Sequence, residues 1–245
     1  MPKETFMMRK LRSTTLTLIT GLIATTASAE LIQISNSESS FMLNSHSIDG
    51  LFDSSSPFFT TNDLANVHAT LNNWGITTDG FITILPINTS AGLTFITLID
   101  EELGFGDNGI DGSLGLTSTA PGSLSMFIND SSQDSWTLIQ PPFGSQTMGA
   151  TFTWGSVGSG DGFAWAGLSI GDAISYNFND LDGDGGAIGA EAFQFIGWDV
   201  DSWSVISTNG FKTDGTSVFT GMVVPAPPAA LLLSVLTMSY RRRRR

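Results

Sequence analysis

The sequence predicts an all-β fold, a β-sandwich or jelly-roll-like ectodomain, on three observations. Charged residues make up only 13% of the 245-residue chain, while hydrophobic residues reach 41%. Charge is thus well below the usual share of about a quarter, and a core is available beneath a mostly neutral polar surface. Short segments rich in Phe, Ile, Thr, Val and Trp recur through the middle of the chain, separated by Gly-containing turn pairs. Long helical patterns are absent there, and no fixed-period repeat points to a solenoid or propeller.

The strand segments are, in order, FITIL (81–85), LTFITLI (93–99), SLSMFI (123–128), SWTLI (135–139), MGATFTW (148–154), AISYNF (173–178), AFQFIGW (192–198) and SVFTGMV (217–223). AISYNF alternates cleanly: Ile174, Tyr176 and Phe178 share one face, Ser175 and Asn177 the other. AFQFIGW reads two ways. Phe193 and Phe195 alternate as in a strand, while Phe193, Ile196 and Val200 also fit a helix face. Turns are expected at Asp79-Gly80, Asp111-Gly112, Pro121-Gly122, Asp161-Gly162 and Asp214-Gly215. Residues 35–65 are Ser/Asn-rich and read as a loose N-terminal edge or long loops. The length suits one domain, residues 30–223, with processing segments on either side.

Those segments carry the basic residues. Lys3, Arg9, Lys10 and Arg12 precede residue 30, and Arg241, Arg242, Arg243, Arg244 and Arg245 end the chain. Between them lie 22 of the 23 acids and a single base, Lys212. Such a domain repels nucleic acid and anionic membranes, so no nucleic-acid partner is expected. There are no cysteines, which removes disulfides, thiolate catalysis and Cys-based zinc sites together.

The N-terminus has the layout of a secretory signal peptide, residues 1–29. A basic region leads into a short apolar helix-forming stretch (16–24), and Ala27 and Ala29 place small residues at −3 and −1 of a cleavage before Glu30. The chain start lies at Met1, Met7 or Met8. At the other end, residues 224–245, prolines break incoming structure. An apolar run of 12 residues (229–240) follows, then the arginines. A stable span needs about 20 residues, and the arginines stay cytoplasmic by the positive-inside bias. The expectation is a transient insertion in the inner membrane, with a permanent single-pass anchor as the alternative.

This tail resembles the PEP-CTERM sorting signal of Gram-negative bacteria: a Val-Pro-Glu-Pro motif, an apolar helix and a terminal Arg cluster. Here Val224, Pro225, Ala226 and Pro227 stand in the motif's place, with Ala226 where the family usually has Glu. The resemblance covers residues 224–245 and implies two partners, the export translocon and an exosortase-like processing enzyme. It also implies delivery to the cell surface or the biofilm and exopolysaccharide matrix.

One motif carries chemistry. DLDGDGGAIGAE (180–191) fits the calcium-loop pattern D-x-[DN]-x-[DN]-G-x5-E. Asp180, Asp182 and Asp184 would supply carboxylates, Gly186 a carbonyl, and Glu191 a bidentate closure, matching the six to eight hard oxygens that Ca²⁺ takes. AISYNF ahead of the loop is a strand signal, so a calcium-stapled loop between strands is expected rather than an EF-hand; a solvated Asp/Gly tip is the alternative. A weaker Asp/Gly cluster lies at 107–112.

Catalytic signals are sparse. His46 and His68 sit in no recognised motif, and no Gly-x-Ser-x-Gly elbow, HExxH or phosphate-binding Gly loop is present. Of the six tryptophans, most belong in a core. Trp198 and Trp203, flanked by Asp199 and Asp201, are expected to be exposed and available for stacking on sugar rings. The leading reading is a non-enzymatic structural or adhesive surface protein. A carbohydrate-binding module for extracellular polysaccharide comes second and a polysaccharide-cleaving enzyme third.

Overall fold

The computed structural model describes residues 31–48, 51–52, 58, 60–78, 80–102, 112–129, 135–154, 159–179, 193–213 and 216–225. Strands β1 (Leu31–Ser35), β2 (Ser40–Asn44) and β3 (His46–Ser47) precede helix α1 (Thr61–Asn73). Then follow β4 (Ile82–Thr89), β5 (Gly92–Glu102), β6 (Gly112–Pro121), β7 (Ser125–Asn129), β8 (Ser135–Ile139) and β9 (Ser145–Trp154). The chain continues through β10 (Ser159–Leu168), β11 (Ala173–Asn179), β12 (Phe193–Asp199), β13 (Ser202–Ser207), β14 (Lys212–Thr213) and β15 (Thr216–Val224). All eight segments expected as strands lie on strands, and AFQFIGW resolves as strand β12. Among the described residues no helix is long and apolar enough to cross a membrane.

The strands form two sheets. One runs β2-β1-β15-β11-β6-β9-β8 with β14 beside β15; the other runs β13-β12-β4-β5-β10-β7 with β3 beside β4. Apart from β12–β4 and β3–β4, which are parallel, the pairs are antiparallel. The inner faces meet in an aromatic core that includes Phe95, Phe152, Phe163, Trp165, Tyr176, Phe178, Phe193 and Phe219. Trp165 Nε1 donates to Ser118 Oγ at 2.9 Å, a hydrogen bond from β10 of one sheet to β6 of the other.

Burial patterns follow from layering. Strands β11 and β15 alternate buried and open positions, because among the described residues no layer covers the outer face of their sheet. On β4, Ile82 through Ile87 are all buried, because the second sheet is covered on both sides. Its outer face, through Leu85, Ile87, Ile96 and Leu98 of β4 and β5, packs against Leu64, Val67 and Leu71 of α1. Continuous burial explains why the β12 segment fitted both a strand and a helix pattern: both of its faces are apolar.

Helix α1 corrects the expectation of a loose edge or long loops over residues 35–65, as do β2 and β3. Its start is fixed by a capping box. Thr60 Oγ1 accepts from Asp63 N, and the Asp63 carboxylate accepts from Thr60 N at 3.1 Å. Asp63 also accepts from Phe52 N at 3.1 Å, pinning the preceding segment. The C-terminus closes in a Schellman arrangement: Gly75, at φ +75°, donates to Asn72 O, and Ile76 N donates to Leu71 O.

The Asp161-Gly162 turn is also corrected: both residues lie inside β10 and are buried. Gly162 is required there by close approach, since a Cβ would stand 2.7 Å from the Thr97 carbonyl oxygen of β5. Pro121-Gly122 does turn the chain between β6 and β7.

Register places one set of strand tips together. In the first sheet Asn179 pairs with Gly115, Gly112 with Trp154, and Thr151 with Ser135. In the second, Ile82 lies between Phe193 and Ile99, Glu102 pairs with Ser159, and Gly162 with Asn129. The four residues 155–158 join β9 to β10, a reach of at most about 18 Å. A ten-residue strand is about 33 Å long, so both sets of tips sit at one end of the sandwich. The strands flanking the acidic segments 103–111, 130–134, 180–192 and 214–215 all end or begin there.

Candidate functional site

Most sequence-expected site residues fall outside the described residues. These are Asp180, Asp182, Asp184, Gly186 and Glu191 of the calcium motif, residues 107–111 of the weaker cluster, Ala27, Ala29 and Glu30, and Ala226, Pro227 and the five arginines. Val224 closes β15 and Pro225 follows it, exposed. Among the described residues, no three acidic or histidine side chains gather closely enough to hold a metal ion.

The tryptophans are better placed. Trp203 is 4% exposed, which corrects the expectation that it is open for sugar stacking. It points to the outer face of its sheet, but that face is covered by the helix layer. Trp198 is half-buried, and the open tryptophan nearby is Trp74, at 48% exposure.

These rings form one cluster. Trp198 and Trp203 are directly opposed in the β12–β13 pair, so they share a face and meet edge-on at 5.6 Å. Trp198 Nε1 donates to Val200 O at 3.2 Å across the hairpin tip. The last register pair of β12 with β4 is Phe195 with Ile84, and β3 takes the next place along β4, pairing His46 with Ile87. That slot lays the His46 ring flat on Trp198, centroids 3.7 Å apart and 13° from parallel. Asn44 Nδ2 donates to Trp198 O at 2.9 Å, fixing β2 to the same spot. Trp74, the C-cap of α1, meets Trp198 edge-on at 6.1 Å. The exposed members are therefore His46 and Trp74, with Trp198 as the post between them.

A groove of about 450 Å³ adjoins the cluster, lined by Ser47, Ile48, Asn66, Ala69, Thr70 and Asn73. Positions 66, 69, 70 and 73 make one stripe of α1, and Ser47-Ile48 forms the opposite wall. His46 and Trp74 are the chain neighbours of Ser47 and Asn73, so the aromatic cluster stands at the groove's margin. Among the described residues no charged one lines the groove. Thr70 Oγ1 donates to Asn66 O at 2.8 Å, which orients its lone pairs outward from the turn.

Beneath α1, His68 is 1% exposed and its Nδ1 lies 2.7 Å from Thr78 Oγ1. Burial holds its pKa down at about 4, so it is neutral at physiological pH and braces the helix against the α1–β4 connection. Gln194 Nε2 donates to Thr77 O and Thr83 Oγ1, both at 2.7 Å, and ties the same connection to β12.

Two further cavities lie elsewhere. One, of about 620 Å³, is lined by the β1–β2 turn with Asn209, Phe211 and strand β15, and among the described residues Glu38 is its single carboxylate. The other, of about 390 Å³, lies over β6, β8 and β9 and has none. Glycoside hydrolysis by the usual route needs two carboxylates about 5–10 Å apart, and among the described residues none of these three cavities presents a pair.

The sequence signal missed at the site was Asn72-Asn73-Trp74-Gly75. A positive-φ glycine just past a helix marks a C-cap, and a tryptophan held there stands out from the helix end. The chain matches no known family, no curated protein and no solved structure.

Proposed function

We propose that this protein is an exported, surface-sorted, non-catalytic β-sandwich that acts as a structural or adhesive component of the Gram-negative cell surface or matrix. The observation that carries this reading is the fit between the folded unit and the two terminal addresses. Strand β1 begins at Leu31 and pairs with β15, Leu31 opposite Val224. The sandwich thus opens one residue after the expected signal cleavage and closes on the first residue of the Val-Pro-Ala-Pro motif. Both addresses leave from one point on the domain, where an export signal helix and a C-terminal apolar helix can be cut without disturbing the core. The repeated passage of the chain between sheets, at β5–β6, β7–β8, β9–β10 and β11–β12, supports the jelly-roll-like form.

The test is fractionation of a Gram-negative host that carries an exosortase. The full chain should reach the surface fraction. A chain ending at Pro225 should be released in soluble form, and one lacking only Arg241–Arg245 should be mis-sorted. Cytoplasmic retention of all three would overturn the reading.

Calcium is proposed to staple residues 180–191. The support is the ligand spacing and the gathering of the flanking strand tips at one acidic end. Ca²⁺ at a hundred times its Kd would add about 2.7 kcal/mol. For a domain of this size that raises Tm by roughly 5–10 °C. The increment should vanish in the Asp182→Ala/Asp184→Ala double variant; an equal increment in that variant would exclude the loop as the site.

A further inference from the structure

We infer that the His46–Trp74 patch and the adjoining α1–β3 groove form a binding site for a neutral polysaccharide. Three observations point to this ligand class. The first is shape: a groove of about 450 Å³ falls within the range of small-ligand sites, about 300–1,000 Å³. It lies between a helix and a strand rather than in an enclosed cavity, which suits a chain that continues past both ends.

The second is the lining. Asn66 and Asn73 each bring a carboxamide with one acceptor and two donors, and Thr70 and Ser47 bring hydroxyls. This mixed donor–acceptor set without charge complements sugar hydroxyls, which also donate and accept. Among the described residues lining it, a phosphate, sulfate or carboxylate would find no lysine or arginine. The domain's 22 acids against one base further repel a polyanionic glycan.

The third is the aromatic margin. Sugar rings present apolar C–H faces that pack on flat aromatic surface. Trp74 is 48% exposed although it belongs to a four-ring cluster with a buried side. Its position is set by the helix C-cap and by contact with Trp198, and His46 is braced face-on against the same ring at 3.7 Å. The platform is preorganised, so binding orders few side chains.

This inference takes from the proposed function only the expectation that the protein meets extracellular polymer. The site and its test do not depend on export. Full-length protein in a sugar-free non-ionic detergent is run through native gels containing a β-1,4-glucan, a β-1,3-glucan, a galactomannan or dextran, with alginate as the polyanionic control. At least one neutral polymer should retard the protein and alginate should not. Trp74→Ala and His46→Ala should each weaken the retardation tenfold or more, and Asn73→Ala severalfold. Trp74→Ala should leave Tm within a few degrees of the parent, which separates loss of binding from loss of fold. No retardation by any neutral polymer, retardation by alginate alone, or retardation unchanged in Trp74→Ala would each overturn the inference. Failure here with correct surface sorting would leave the export reading standing.

Discussion

Replacing Trp165 with alanine is expected to lower Tm by roughly 10 °C. The ring is fully buried between the two sheets. Burying an aromatic of this size and leaving a cavity on its removal is worth about 3–5 kcal/mol, and each kcal/mol shifts Tm by about 2–4 °C for a domain of this length. The indole also reaches across the sandwich to Ser118 Oγ, and Ser118 is itself fully buried. Trp165→Phe keeps part of the packing but orphans that hydroxyl, at a cost of about 1–3 kcal/mol. The Ser118→Ala/Trp165→Phe double variant should then lose less than the sum of its single variants, because neither partner is left unsatisfied. Urea unfolding of the four proteins measures this. A Trp165→Ala loss below about 1 kcal/mol would contradict a core built at the sheet interface.

The second large effect is a loss of stability on acidification that belongs to His68. Its folded pKa is lowered to about 4 by burial, whereas the unfolded chain titrates near 6.5. Above pH 6.5 both states are neutral and the residue adds no pH dependence. As pH falls from 6.5 towards 4, the unfolded chain takes up a proton that the folded one refuses. Stability is lost over that window by about 3 kcal/mol in total. The many carboxylates titrate near the lower end of the same range, so the informative quantity is the difference between wild type and His68→Asn. That variant keeps a polar atom near the position of Nδ1 and has no charge to gain. Its stability should be lower at neutral pH but fall less between pH 6.5 and 4.5. Parallel curves for the two proteins would place the acid sensitivity elsewhere.

The parts of the fold legible in the sequence were those where one face is apolar and the other is not. Strands β11 and β15 could be placed within a residue because one face is buried, the other open, and the alternation survives. Strands β6 and β10 were not visible. GSLGLTSTAP and SGDGFAWAGL are built from small residues, which fit where layers pack closely and read locally as turn chemistry. Gly162 shows the reason, since any side chain there meets the Thr97 carbonyl.

Helix α1 was hidden because three positions, Leu64, Val67 and Leu71, carry most of its apolar contact within a stretch of Asn and Thr. Its capping box at Thr60 and Asp63 and the glycine of its C-cap, Gly75, were the local signals available. The candidate site was half legible. Trp198 is marked by its acidic sequence neighbours, but the cluster also depends on β3 taking its place beside β4, which has no local pattern, and on the α1 C-cap, whose one mark in the sequence is Gly75. The exposure expected of Trp203 failed because a third layer covers that face.

The measurement to make next is the intact mass of the protein recovered from the surface of an exosortase-bearing Gram-negative host. A processed β-sandwich flanked by two addresses predicts a chain that begins at Glu30 and lacks Arg241 through Arg245. A mass that retains residues 1–29, found in protein recovered only from the cytoplasm, would contradict it.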